Sequence, residues 1–566
     1  MKKGQGIKTL LGFALASVMA IGMVGCGDKT PAPSSQEQSS TPAPSTQEQQ
    51  STVVESTEEV AEVTYPLNTD ITLEAYGMCS LYSGATTWQD QPFMGFLEEA
   101  TGVHVNYNYV AKGGDSNQLL TLMWAGDIED MYHMVHMTGN INATIGSEYI
   151  EDELIWDLTD YLPEYAPNFW EWINREENVV EKIAVTTSDG RFYMIPQIRA
   201  DNALTWIGPA IRQDWLDECG LQTPVTVEDL EKVLVTFKEK YNAKLGFASS
   251  EGSKHCGLIA SGFDSLAYAF ADDGAGMFKI SKDGEVVLPQ TQPEWLEMME
   301  TLADWWERGL IDEDSLTADR AAIRAKALNN ELGVIWTAAS QIDVWREDAE
   351  AQGVESNWVG MEYLRTEPGA PVITARSGAA RASGLGTVLT KRCSEEELIV
   401  ALKWLDYGWT EEGRMMWSFG KEGVSWEMVD GKPQFTDVVK NHELGMSQGM
   451  IAYTGLGNGS GPVMQVEELV PAKSSAAQAE AYELWGINNE ARSHYFPTVT
   501  LSQADQERMT TVLNTLQTLL KDNGTAFLTG QRPLSEYDDF IAELNKQGLQ
   551  DALDTYSKAY KEQYGK

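Results

Sequence analysis

Positive charge is scarce in this sequence: 41 lysines and arginines face 85 aspartates and glutamates in 566 residues, a formal charge of −44. A surface of that sign repels phosphate backbones and anionic headgroups over a Debye length of about 8 Å, which argues against nucleic acid and electrostatic membrane docking. Cysteine is scarcer, at five residues. Beyond Cys26, the thiols of Cys79, Cys219, Cys256 and Cys393 show no Cys-x-x-Cys pattern and no regular spacing, so neither a zinc site nor a disulfide scaffold is indicated. Buried free thiols are the expectation. No long apolar run follows residue 26. Also missing are Gly-x-Ser-x-Gly, Gly-x-x-x-x-Gly-Lys-Ser/Thr, His-Glu-x-x-His and a complete Gly-x-Gly-x-x-Gly.

Three near-motifs read better as structure. The run Gly455-Leu456-Gly457-Asn458-Gly459-Ser460-Gly461 has no following lysine and no preceding strand, which makes it a surface loop. His133-x-x-His136 falls on a strand and loop, where two imidazoles do not converge as they would on a helix. Asp312-Glu313-Asp314 opens like a calcium loop but lacks the glycine at its sixth position and the glutamate at its twelfth. No cofactor or metal is implied. With 85 acids a glycosidase pair cannot be assigned from sequence, so an enzyme reading stays open without support.

What is abundant is tryptophan, 18 residues in a chain that is 42 % hydrophobic and 10 % aromatic. The length allows about two to four domains. At the N-terminus Met1-Lys2-Lys3 and Lys8 precede an uncharged run from Leu10 to Val24, too short for the roughly 20 residues of a spanning helix and shaped like a secretion signal. It ends in Met23-Val24-Gly25-Cys26, which resembles the bacterial lipobox; that resemblance implies acylation of Cys26 and loss of residues 1–25. Residues 26–62 are rich in Thr, Pro, Ser, Gln and Glu, and Thr30-Pro31-Ala32-Pro33-Ser34-Ser35-Gln36-Glu37-Gln38 recurs nearly unchanged from Thr41. Such a segment buries too little to fold and reads as a tether.

The folded part opens with strand patterns at 71–76, 103–110 and 130–135, separated by helical stretches at 92–101 and 116–124, a βαβαβ order that predicts α/β layers. Further helices are expected at 226–241, 293–309, 394–409, 503–523, 535–545 and 549–564. Within 293–309, Leu296, Met299, Leu302, Trp305 and Trp306 suit one buried face.

Ile211-Arg212-Gln213-Asp214-Trp215-Leu216, followed by Pro224 and Thr226-Val227-Glu228-Asp229-Leu230, resembles the Arg-x-Asp-Trp-Leu segment of extracellular solute-binding lipoproteins of carbohydrate ABC importers. Ala125-Gly126-Asp127-Ile128-Glu129-Asp130-Met131 is similar to that family's Gly-Asp-x-Pro-Asp segment, with Glu129 where proline is usual, and Asp189-Gly190-Arg191-Phe192-Tyr193-Met194-Ile195-Pro196 to its Asp-Gly-Lys-x-Tyr-x-x-Pro turn. Arg308 to Asp314, Phe419 to Trp426, and Phe527-Leu528-Thr529-Gly530 with Gly548-Leu549 continue the family order.

The resemblance implies a two-lobed α/β periplasmic-binding-protein-like fold of type II, with discontinuous lobes joined by a hinge. It assigns 63–200 plus 375–420 to the first lobe and 201–374 plus 421–566 to the second. It further implies a monomer held at the outer face of the cell membrane by lipid alone, binding an oligosaccharide and delivering it to permease subunits. A peptide or other polar solute is the alternative ligand. Sugars pair flat C–H faces with hydroxyl edges, so aromatic platforms and polar groups near the carboxyl ends of strands and on the crossing segment are the candidate contacts. These are Trp88, Arg199, Asp201, Asn202, Trp206, Arg212, Tyr268, Phe270, Trp336, Arg381, Trp417 and Trp426. About two thirds of the tryptophans are expected to be structural.

Overall fold

Strand β1 (Thr72–Gly77) pairs in parallel with β2 (His104–Tyr109), Thr72 opposite His104. The period of two sends Leu73, Ala75, Val105 and Tyr107 into a core, while Glu74 and Asn106 share the other face. The helix Pro92–Thr101 connects them. Proline starts it, where an unbonded N–H is no loss, and Gly102 stops it at φ +71°, so close to Leu67 that a Cβ there would lie 2.3 Å from the Leu67 oxygen. The computed structural model describes residues 63–77, 83–109, 132–138, 143–201, 205–247, 277–365, 367–372, 381–456, 461–487 and 490–565. All lie within the unit Val60–Lys566.

Two sheets organise this unit. The first has the order β2-β1-β3-β11-β4, where β3 is Met134–Thr138, β4 is Ile195–Ile198 and β11 is Ala382–Leu389. β3 runs parallel to β1, and β11 runs antiparallel to both β3 and β4. The second sheet has the order β10-β5-β9-β6, with β5 Ile207–Arg212, β6 Lys244–Phe247, β9 Leu332–Ala338 and β10 Trp358–Gly360. Two hairpins complete the strands, β7 (Lys279–Ile280) with β8 (Val286–Val287), and β12 (Trp426–Val429) with β13 (Lys432–Phe435).

Each sheet has its own hydrophobic core. The first gathers Leu73, Met134, Phe169, Tyr193, Trp404, Trp426 and Leu469; the second gathers Ile211, Phe237, Trp305, Trp358, Trp485 and Phe540. The division differs from the expected one at 421. Trp426, Phe435, Val439, Val463 and Leu469 stay with the first core. The reason is aromatic packing: Phe419 lies 5.8 Å from Trp426 and 5.0 Å from Phe435, ring centre to ring centre, so the hairpin cannot leave without opening that cluster.

Helices occur where their caps predict. Thr226 and Asp229 form a reciprocal capping box for Val227–Tyr241, and Ser394 with Glu397 does the same for Glu395–Tyr407. In Pro293–Glu307 Trp305 is buried and Trp306 half-buried. The helix Gln503–Leu528 runs past the expected stop at Asn523, because burying Gly524, Phe527 and Leu528 outweighs the roughly 1 kcal/mol cost of a helical glycine. No helix among the described residues is long and apolar enough to cross a membrane.

Candidate functional site

The chain passes three times between the two sheets, and the passages are laced where they leave the first. After β4, the Ile198 N–H donates to Val463 O at 2.9 Å, and Ile198 O accepts from the Gln465 N–H at 2.8 Å. The next residue, Arg199, donates its N–H to Arg381 O at 2.9 Å. Thus 198–199 lies between the return segments that enter β11 and that follow Gly461. On the far side, Trp206 O accepts from the Ala339 N–H, and Ser475 and Gln478 donate to the two oxygens of Asp343 at 2.8 and 2.6 Å, fixing the start of the helix Ala476–Gly486.

Several candidate residues sit on these passages. Arg199 and Trp206 are half-buried and Asp201 is exposed. Arg381 is fully engaged: its guanidinium donates to Glu181 at 3.2 Å and to Asn178, lies 3.8 Å from Asp201, and stacks 5.1 Å from the Trp172 ring. Glu181 is 2 % exposed, so this pair locks the crossing onto the first core. Asn202, Tyr268, Phe270 and Cys26 lie outside the described residues.

Four candidates belong to the cores instead. Arg212 is 2 % exposed, with both ends of its fork on Asp214 (2.8 and 2.5 Å), a third bond to Asn330 and the Trp215 ring 4.0 Å beneath it, leaving no donor direction for a ligand. Trp336 is buried in the interior strand β9, opposite Pro209 and Phe247. Trp417 packs on Phe93 and Trp404. Trp426 donates its indole N–H to Gly420 O at 2.9 Å.

Trp88, 3 % exposed, also packs in the first core, but it borders open space. It begins a short 3₁₀ turn, stacks on Tyr107 at 5.2 Å and lines a cavity of about 530 Å³ with Glu74, Tyr76, Thr86, Asn106 and Tyr132 among its walls. Asn106 donates to Glu74 at 2.9 Å, and burial raises the Tyr76 and Tyr132 phenols above their ordinary range. Sequence reading missed Glu74, Asn106 and Asn108, although their alternation with core residues was a signal for a polar sheet face.

The near-motifs are absorbed by packing. A Cβ on Gly455 or Gly461 would come 2.1 or 2.7 Å from the Trp417 ring, so glycine lets the backbone at these two positions lie on an indole. His133 accepts from the Glu74 N–H, while His136 is held between Thr387 (2.5 Å) and Tyr107 (3.3 Å). The Lys326 ammonium lies 2.7 Å from both Asp312 and Asp314, filling the space a cation would need. Cys393 is a buried free thiol, whereas Cys219 is only half-buried, near the Lys240 and Tyr241 side chains.

A five-stranded and a four-stranded sheet with separate cores and three connecting passages define the α/β, two-domain periplasmic-binding-protein-like architecture. The chain belongs to the bacterial extracellular solute-binding protein family, whose model matches residues 84–415. It is similar to the fructooligosaccharide ABC transporter substrate-binding protein FusA of Streptococcus pneumoniae serotype 4, 23 % identical over 537 residues, covering 88 % of this chain and 91 % of that protein. It is 26 % identical to lipoprotein LipO of Bacillus subtilis over 374 residues, 65 % of this chain and 70 % of that one. A solved HMO-binding, ABC-transporter-associated solute-binding protein from Bifidobacterium longum infantis superposes with a TM-score of 0.67 at 17 % identity, covering 87 % of this chain and 98 % of that chain.

Proposed function

We propose that this protein is the substrate-binding component of an ABC importer, which captures an oligosaccharide between two lobes and presents it to a membrane permease without chemical change. The observation that carries this reading is the triple crossing: two separately cored sheets joined through a few laced segments form a hinge, and a ligand touching both sides stabilises closure by its differential affinity. The likeness to transporter substrate-binding proteins over most of the chain supports it. In this reading residues 63–198 and 382–472 make the first lobe, and 207–372 and 477–565 the second. Trp88, Arg199, Asp201 and Trp206 remain its proposed ligand contacts, and a monomer suffices.

The membrane attachment we propose is a lipid on Cys26, with 27–62 as the tether. Replacing Cys26 by serine is expected to release the protein from the membrane fraction, as read by immunoblot of cells and medium; retention of Cys26→Ser on the cells would count against the anchor. For the ligand, isothermal titration with neutral and acidic oligosaccharides should give saturable binding near micromolar Kd, about −8 kcal/mol, and chromatography of the same samples should return the glycan intact. Release of shorter sugars would overturn the transport reading.

A further inference from the structure

The cavity of about 530 Å³ beside Trp88 falls within the size range of sites that take a small molecule, and its walls come from β1, β2, Tyr132 and the turn at 86–89. A chain of hydrogen bonds holds the Glu74 carboxylate in that wall. Asn106 donates its amide N–H to Glu74 Oε1 at 2.9 Å, its oxygen lies 3.0 Å from His104 Nε2, and His104 Nδ1 lies 2.8 Å from Glu98. A carboxylate only accepts, so the Asn106 amide has one orientation here, with its oxygen turned to His104. The rim is set as firmly: Asp90 accepts from the Thr86 and Thr87 N–H groups at 2.9 and 2.7 Å and from the Thr86 hydroxyl at 2.7 Å. Aromatic surface supplies the rest, with Trp88 stacked on Tyr107 at 5.2 Å and the Tyr76 ring 5.0 Å from that of Tyr132. Asn108 stands exposed in the same wall and brings both a donor and an acceptor.

Aromatic faces beside amides and a carboxylate suit a ring with apolar C–H faces and hydroxyl edges. Glu74 decides the charge of that ring. With Oε1 taken by Asn106, its Oε2 can accept from a ligand hydroxyl, whereas an acidic group on the ligand would meet a fixed like charge. The strand order adds a length. β2 is one edge of the first sheet, and the first crossing leaves from β4 at the other edge, so three to four strand spacings, roughly 14 to 19 Å, separate the cavity from it. A ring in the cavity is therefore a different residue of the glycan from any that touches that crossing. We infer that the cavity is a subsite for one neutral sugar ring of a longer glycan, with Glu74 accepting from its hydroxyls, Asn108 bonding another and the aromatic wall covering its C–H face. Its described lining residues all belong to the first lobe, so this ring can be held while the hinge is open.

This inference rests on the oligosaccharide reading, and one experiment separates the two. Isothermal titration is run with the neutral trisaccharides kestose, maltotriose and xylotriose and with trigalacturonate, on the wild-type protein, Glu74→Gln and Asn108→Ala, with melting curves to confirm folding. Glutamine keeps an oxygen for the Asn106 amide and removes only the charge. The expected result is that a neutral trisaccharide binds more tightly than trigalacturonate and loses about 10- to 100-fold in Glu74→Gln and about 5-fold in Asn108→Ala, with melting temperatures unchanged. If Glu74→Gln does not fold, the exposed Asn108→Ala decides alone. Tighter binding of trigalacturonate than of every neutral sugar, or a neutral sugar bound with less than about 2-fold change in both variants, would overturn the subsite and leave sugar capture standing. Binding of none of these sugars nor any other glycan would remove both.

Discussion

Trp336 and Asn108 show how differently single residues act in this protein. Trp336 lies in the second core, so Trp336→Ala is expected to cost about 3–5 kcal/mol of stability, seen as a large drop in melting temperature. Asn108 is exposed on the wall of the cavity beside β1 and β2. If a glycan uses that cavity, Asn108→Ala weakens binding by about 1 kcal/mol with an unchanged melting temperature; unchanged affinity would place the ligand elsewhere. Arg212→Ala belongs with Trp336, since it strands Asp214 and Asn330 and is expected to cost about 3–5 kcal/mol in chemical denaturation. These assignments were not legible in the sequence. An indole or guanidinium looks the same on a strand whether the next layer is solvent or another helix, and only the partner contacts decide. Arg199 was legible as a crossing residue, but the pairing of Glu181 and Asp201 with Arg381 was not, because both acids lie far from Arg381 along the chain.

At the scale of elements, local signals were strong. Capping boxes, a first-turn proline and strand alternation located the helices at 92–101, 226–241 and 394–409 and the strands β1 and β2 closely, since each depends on neighbours within a few residues, whereas the strand expected at 130–135 begins at Met134 and the helix expected at 116–124 lies outside the described residues. What they could not show was which element caps another. Asp406, in the last turn of Glu395–Tyr407, accepts from the Phe169 N–H at 2.9 Å and from Asn168 at 2.7 Å, closing the start of Pro167–Ile173. Burial pushes its carboxyl up to about 6 from 3.8, and the two hydrogen bonds only partly offset this. A raised folded-state value favours folding while the acid is protonated, so this contribution is present below about pH 4 and lost as pH rises through about 6. Burial moves His136 down to about 4 from 6.5, which has the opposite effect: its contribution is present above about 6.5 and lost as pH falls through about 4. The slopes oppose each other over pH 4–6. Asp406→Asn should remove one of them, so its denaturant midpoint should fall more steeply on acidification than that of the wild type; parallel curves would show that Asp406 does not titrate in this window.

Across the whole molecule the division into two lobes followed from order and resemblance, but its boundaries did not. In the division we propose the chain changes lobes at about 473, since Trp426, Phe435, Val463 and Leu469 pack in the first core. The hinge reading predicts a smaller radius of gyration in solution scattering when ligand saturates the protein, whereas identical curves would mean that the crossings do not bend.

The same lacing governs how the protein is made. Tyr65 donates to Lys403 O at 2.6 Å, a bond that spans 338 positions, and Ile198 waits for Val463. Neither core can close while its later half is still unsynthesised: the first needs Leu469, the second Tyr560. Contacts of such sequence separation make folding slow. A nascent chain of this design stays open for most of its synthesis, which would suit the passage across a membrane that an N-terminal secretion signal calls for.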